Sequence, residues 1–168
     1  MTIVLPEAAF FVLTLPFSLW VAWSDLKFMR ISNRLNMILF GVFLISGLIL
    51  LPLEDYGLRV GIAVAALVIG FVINAIGLMG GGDAKYIAAF IAFIDPGELG
   101  EFFFVMSICL LTAVFVHRIA RASKTMRRAT PDWVSWQPEK RFPMGLGLSG
   151  GLSFYLALVG FNLPFAPG

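Results

Sequence analysis

An all-α integral membrane bundle is the fold this chain predicts, on three observations: its composition, the length of its apolar runs and the side on which its basic residues fall. Of 168 residues, 60% are hydrophobic and 13% charged, with a mean hydropathy of +0.93. Soluble domains hold roughly 45–50% apolar and about 25% charged residues. A hydrocarbon core of about 30 Å takes about 20 apolar residues per helix, and unbroken runs such as Met37 to Leu53 meet that need. Membrane β-strands would instead alternate over stretches of about 10 residues.

The apolar stretches between charged clusters allow about six crossings, near Ala8 to Trp23, Leu35 to Leu53, Leu58 to Met79, Ala84 to Ile94, Phe102 to Val116 and Met144 to Leu163. The fourth would rise only about 16 Å at 1.5 Å per residue, so it is short or partly re-entrant. The first lacks a basic leader and a small-residue cleavage site, and runs straight into Asp25, Lys27 and Arg30; it reads as a retained helix, not a signal peptide. Residues 1–168 then form a single transmembrane domain. Within it, 117–143 is a cytoplasmic basic loop too short for a core of its own, whose Trp133 and Trp136 suit an interfacial belt or a hydrophobic contact with a neighbour. Small residues at Gly61, Ala65, Ala66, Gly70, Ala75 and Gly77 allow close helix packing.

Cytoplasmic loops hold an excess of Lys and Arg. One side carries Lys27, Arg30, Arg34, Lys85, Arg118, Arg121, Lys124, Arg127, Arg128, Lys140 and Arg141; the other carries only Arg59, with Glu7, Glu54, Asp55, Asp95, Glu98 and Glu101. Both termini are therefore expected outside. The net charge of +2 follows from this asymmetry, and no nucleic-acid partner is implied. Cys109 is the single cysteine, so neither an internal disulfide nor a Cys-based metal site is open to the chain. His117, also single, reads as an interfacial residue at the end of the fifth helix. No cofactor or metal is expected, and the glycines of 145–151 lack the Lys-Ser/Thr of a phosphate loop.

Two carboxylates remain. Asp83 ends the run Gly80-Gly81-Gly82, and Asp25 ends the first apolar segment. Aspartates beside membrane segments are rare and tend to be functional. An even number of crossings separates the pair, so both lie at the cytoplasmic face. Two aspartates a few ångströms apart share a proton, one acting as base toward water while the other donates, and this suffices for hydrolysis. Glycines before Asp83 let the backbone turn sharply and approach a substrate strand. An alternative reading makes Gly80 to Gly82 the end of the third helix and Asp83 the N-cap of the next. Asn74, just before the motif, could hydrogen-bond across helices.

Three motifs resemble those of the prepilin peptidases. Asp25 followed by Ile31-Ser32-Asn33 is similar to the family's D-x5-I-P-N, with Ser32 in the place of proline. Met79-Gly80-Gly81-Gly82-Asp83-Ala84-Lys85 is similar to M-G-x-G-D-x-K. Phe142-Pro143-Met144-Gly145 with Ser149-Gly150-Gly151 resembles a third, glycine-containing segment. The chain looks like the short, single-domain form of Tad or Flp pilus systems. The resemblance implies a membrane-embedded aspartic endopeptidase with Asp25 and Asp83 catalytic and with Gly80, Gly82, Lys85 and Asn33 supporting them. It also implies a bacterial inner-membrane location and substrates that are prepilins or pilin-like precursors, with a short basic leader ahead of an apolar helix. The longer members' methyltransferase segment is not expected. The rival readings are a proton-coupled transporter, whose aspartates belong nearer the bilayer midplane, and a non-enzymatic subunit of a pilus or secretion assembly.

Overall fold

The computed structural model describes residues 4–137 and 142–163. Within them the chain is helix and turn with no strand, as its composition requires. Helix α1 (Leu5–Phe28) begins with proline in its first turn, where the missing N–H costs nothing. It ends at Met29, whose left-handed φ of 52° closes the helix with an N–H bonded to the Asp25 carbonyl. Helices α2 (Asn33–Leu50) and α3 (Leu53–Ala75) are divided by Pro52, which cannot continue one helix but suits the start of the next. The third helix thus starts before the expected Leu58 and stops before Met79; Gly77, at φ 78°, turns the chain away.

Helix α4 (Gly81–Phe90) has 10 residues and passes into a 3₁₀ turn at Ile91–Phe93, matching the short fourth segment expected. After a second turn at Pro96–Glu98 come α5 (Leu99–Ala122), α6 (Lys124–Ala129), a turn at Val134–Trp136, and α7 (Met144–Gly160). Helices α1, α2, α3 and α5 are long and apolar enough to cross a membrane, and α7 is a shorter apolar helix of 17 residues. The chain is a multi-pass membrane protein. Its outer surface agrees: Ile49 is 76% exposed and Phe71 72%, as suits side chains facing lipid.

The interior is built around the short segment. Phe93 meets Phe10 edge-on at 5.3 Å and Phe43 at 5.2 Å, while Phe90 and Tyr155 both pack on Phe102. Helix α7 lies against α1 and α5; at Gly160 an added Cβ would stand 2.6 Å from the Ala8 nitrogen. Of the expected small-residue contacts, Gly70 does press on Ala84, but Gly61 faces open space.

Arg59, which the sequence assigns to the outer side at the start of the third segment, is 2% exposed within α3. Its guanidinium binds Asp95 Oδ2 at 3.0 Å, donates to the Phe93 carbonyl at 3.3 Å and lies 3.9 Å from Glu7 Oε1. Beside it Tyr155 donates to Glu98 Oε2 at 2.5 Å. These groups tie α1, α3, α7 and the turn before α5 together about 27 Å, by helix rise, from the Asp25 end of α1. The expected loop 117–143 is also partly helical. Its first residues complete α5, and α6 follows at once. His117 is 5% exposed, stacked on Trp136 at 5.4 Å and met edge-on by Phe142. It is therefore a buried packing residue at the bundle's end. The loop's Lys140 and Arg141 lie outside the described residues.

Candidate active site

The αL stop at Met29 fixes Asp25 in the last turn of α1, with 5% of its surface exposed. Its Oδ2 accepts the backbone N–H of Gly145, from the first turn of α7, at 2.6 Å. Asp83 stands in the first turn of α4, outside the four long apolar helices. Asp25 and Asp83 line one open cavity of about 1150 Å³, which Gly80, Gly82, Asn33 and Lys85 share. All six residues singled out by the motifs meet here. Asn33 and Lys85 are bonded to each other, Lys85 Nζ donating to Asn33 Oδ1 at 3.1 Å, and so join the start of α2 to α4.

The two motif glycines have different neighbours. Gly80 is the N-cap of α4, and a Cβ there would come within 2.6 Å of Asp83 Oδ2. Gly82 faces the α1–α2 connection, 3.3 Å from the Ile31 carbonyl, so the close backbone approach it permits is to Ile31. The capping alternative fails in both halves. The third helix has already ended at Ala75, and Asp83 makes no capping hydrogen bond. Asn74 donates to the Met79 carbonyl at 2.8 Å, closing the turn ahead of the motif instead of bridging helices.

Sequence reasoning passed over two groups. Asn36, 5% exposed, donates to the Gly82 carbonyl at 3.3 Å. Its signal is the three-residue spacing from Asn33, which sets both amides on one helix face. Gly145 stood in a noted motif, but nothing in the sequence pairs it with Asp25. The connection after α6 also reaches the cleft: Trp136 Nε1 bonds Thr130, the turn packs against α1, and Val134 lines the cavity. A second, mainly apolar cavity of about 360 Å³ lies between α2, α3 and α4 and shares Asn33 and Lys85 with the first.

Burial, and next the nearby Asp25, push the Asp83 carboxyl up to about 6 from the ordinary 3.8. Arg30, Arg34 and Lys85 line the cleft, yet among the described residues neither aspartate has an ion pair. Also among these residues, no three His, Cys, Asp or Glu side chains gather into a metal-binding group. A carboxyl whose affinity for its proton rises on folding weakens the fold once it ionises. The penalty is full above about pH 6 and fades as pH falls toward 3.8. Roughly 1.36 kcal/mol per unit, discounted for screening at the open cleft, leaves about 1 kcal/mol. Asp83→Asn should therefore raise the unfolding midpoint by about 2–4 °C at pH 7.5, and the gain should shrink toward pH 4. An unchanged or lowered midpoint at pH 7.5 would remove the account.

Fold and cleft define a helical membrane protein with paired carboxyls at one end of its bundle. Residues 12–117 match the type IV leader peptidase family, and the chain belongs to that family of peptidases. No curated protein and no solved structure matches it. The matched span carries Asp25, Asn33, Gly80, Gly82, Asp83 and Lys85, while Gly145 lies beyond it.

Proposed function

We propose that this protein is an aspartic endopeptidase that removes the short basic leader from type IV or Flp-like prepilins at the cytoplasmic face of the inner membrane. The observation that carries the reading is the shared cavity of Asp25 and Asp83 in a chain of this family. One carboxylate takes a proton from water as its oxygen adds to the scissile carbonyl, and the other, protonated, donates to the carbonyl oxygen. As the tetrahedral intermediate collapses, the carboxyl that took water's proton passes it to the departing amine, and the other regains a proton from a hydroxyl of the intermediate. No covalent intermediate forms. Hydrolysis needs water, which an open polar cleft supplies, while the precursor's apolar helix stays among helices and lipid. The apolar cavity beside Asn33 and Lys85 suits side chains at the start of that helix.

Co-expression with a candidate prepilin in a host lacking its own peptidase tests the reading. The wild-type chain should shorten the precursor, and Asp25→Asn and Asp83→Asn should each abolish shortening while inserting normally. Processing by either variant at wild-type level would sink the dyad. The orientation has its own test. With Cys109 replaced, a cysteine at Thr125 should react with an impermeant probe only from the cytoplasmic side and one at Asp55 only from outside; reaction from the same side would break the topology.

A further inference from the structure

The two carboxyls of the cleft are held differently. They stand in one cleft, Asp25 buried and Asp83 half-buried, and burial opposes a carboxylate charge unless a donor offsets it. Only Asp25 receives such a donor, the Gly145 N–H at 2.6 Å. That N–H belongs to the first turn of the 17-residue α7, where unpaired amides and the helix dipole favour an anion. A short N–H bond to a carboxylate is stronger than one to a neutral acid. Asp83 also begins a helix, but no N–H reaches its side chain, and among the described residues it accepts no hydrogen bond. The cleft's cations, Arg30, Arg34 and Lys85, pair with neither carboxyl, and Lys85 is turned to Asn33.

We propose that Gly145, through its backbone N–H, is a positioning residue that makes Asp25 the proton acceptor and leaves Asp83 as the proton donor of the reaction. The assignment rests on the dyad reading above. In the first step Asp25 takes a proton from water while the water oxygen bonds to the scissile carbon. Asp83 gives its proton to the carbonyl oxygen, so a gem-diol forms with Asp25 protonated and Asp83 ionised. In the second, the C–N bond breaks as Asp25 passes its proton to the leaving nitrogen, and Asp83 recovers one from a diol hydroxyl as the carboxyl product forms. The glycine is required sterically as well. A Cβ on residue 145 would lie 2.9 Å from both Cβ and Oδ2 of Asp25, so a side chain there must push the carboxylate off the N–H.

The test reads protonation separately from cleavage. Infrared spectra of the full-length protein, ¹³C-labelled at aspartate, are recorded at about pH 5, below the Asp83 value of about 6. The carboxylic-acid C=O band should persist in Asp25→Asn and vanish in Asp83→Asn. The reverse pattern overturns the assignment even if both variants are inactive; cleavage by both variants overturns the dyad reading instead, whatever the spectra show. Gly145→Ala should lower kcat by about 10- to 100-fold with KM within about twofold, and should add a second acid band as Asp25 loses its donor. A merely structural glycine would lower activity without that band, and the wild-type single band in Gly145→Ala overturns the role given to the N–H. Gly150→Ala, facing open space on the same helix, should match wild type. Should Gly145→Ala fail to fold, the two Asn variants still decide which carboxyl holds the proton.

Discussion

Arg59→Met should lower stability by about 3–5 kcal/mol, the usual cost of removing one partner from a buried charge group. Methionine fills similar volume, so the loss comes from what is stranded: Asp95, Glu7 and the Phe93 carbonyl all face the guanidinium. Thermal unfolding in detergent should register a drop of about 10 °C or more. Arg59→Lys should recover only part, because one ammonium cannot serve the carbonyl and two carboxylates as a planar fork does. Adding Glu7→Gln and Asp95→Asn to Arg59→Met should restore stability, since neutral amides strand less charge. A loss below about 1 kcal/mol for Arg59→Met would show that the cluster contributes nothing net.

Gly80→Val should cut cleavage per inserted molecule by about 100-fold, the cost of moving a reacting group by an ångström or so. Its Cβ would need the space where Asp83 Oδ2 now lies, 2.6 Å away. Gly82→Val should be milder, since its nearest neighbour is the Ile31 carbonyl at 3.3 Å and α4 can shift from it. Gly47→Val meets Tyr56 and Phe43 at 3.1 and 3.2 Å, within α2 and away from the cleft, and should act on expression instead of catalysis. Quantified by blotting mature against precursor pilin, the order of activity loss is Gly80, Gly82, Gly47. Wild-type cleavage by Gly80→Val would mean that the motif only starts a helix.

What could be read in the chain was local. Apolar runs announced the long helices, and a run of about 11 residues announced the short α4, because helix rise per residue is fixed. The glycines and Asp83 marked one side of the cleft, and parity of crossings put Asp25 on the same side. What could not be read depends on contacts between distant segments. Gly145 meets Asp25 across 120 positions, and no spacing rule encodes a bond between the end of α1 and the start of α7. Arg59 reads in the sequence as one more charge of the outer side, because topology rules treat every cation near a segment end alike. The surplus of acids around that one arginine was the available hint that it is paired. His117 is a similar case: its place at the end of the fifth helix says nothing of the loop that returns to stack Trp136 over it.

The folded-back loop brings the optical properties of the whole molecule to one place. The chain has four tryptophans. Trp20 and Trp23 line the cleft, and Trp133 and Trp136 flank Val134, which also lines it. No indole lies at the Arg59 end of the bundle, so ultraviolet emission excited at tryptophan reports the cleft end alone. An unlabelled precursor peptide can therefore be titrated by fluorescence against Asp83→Asn, which separates occupancy from turnover without introducing a dye.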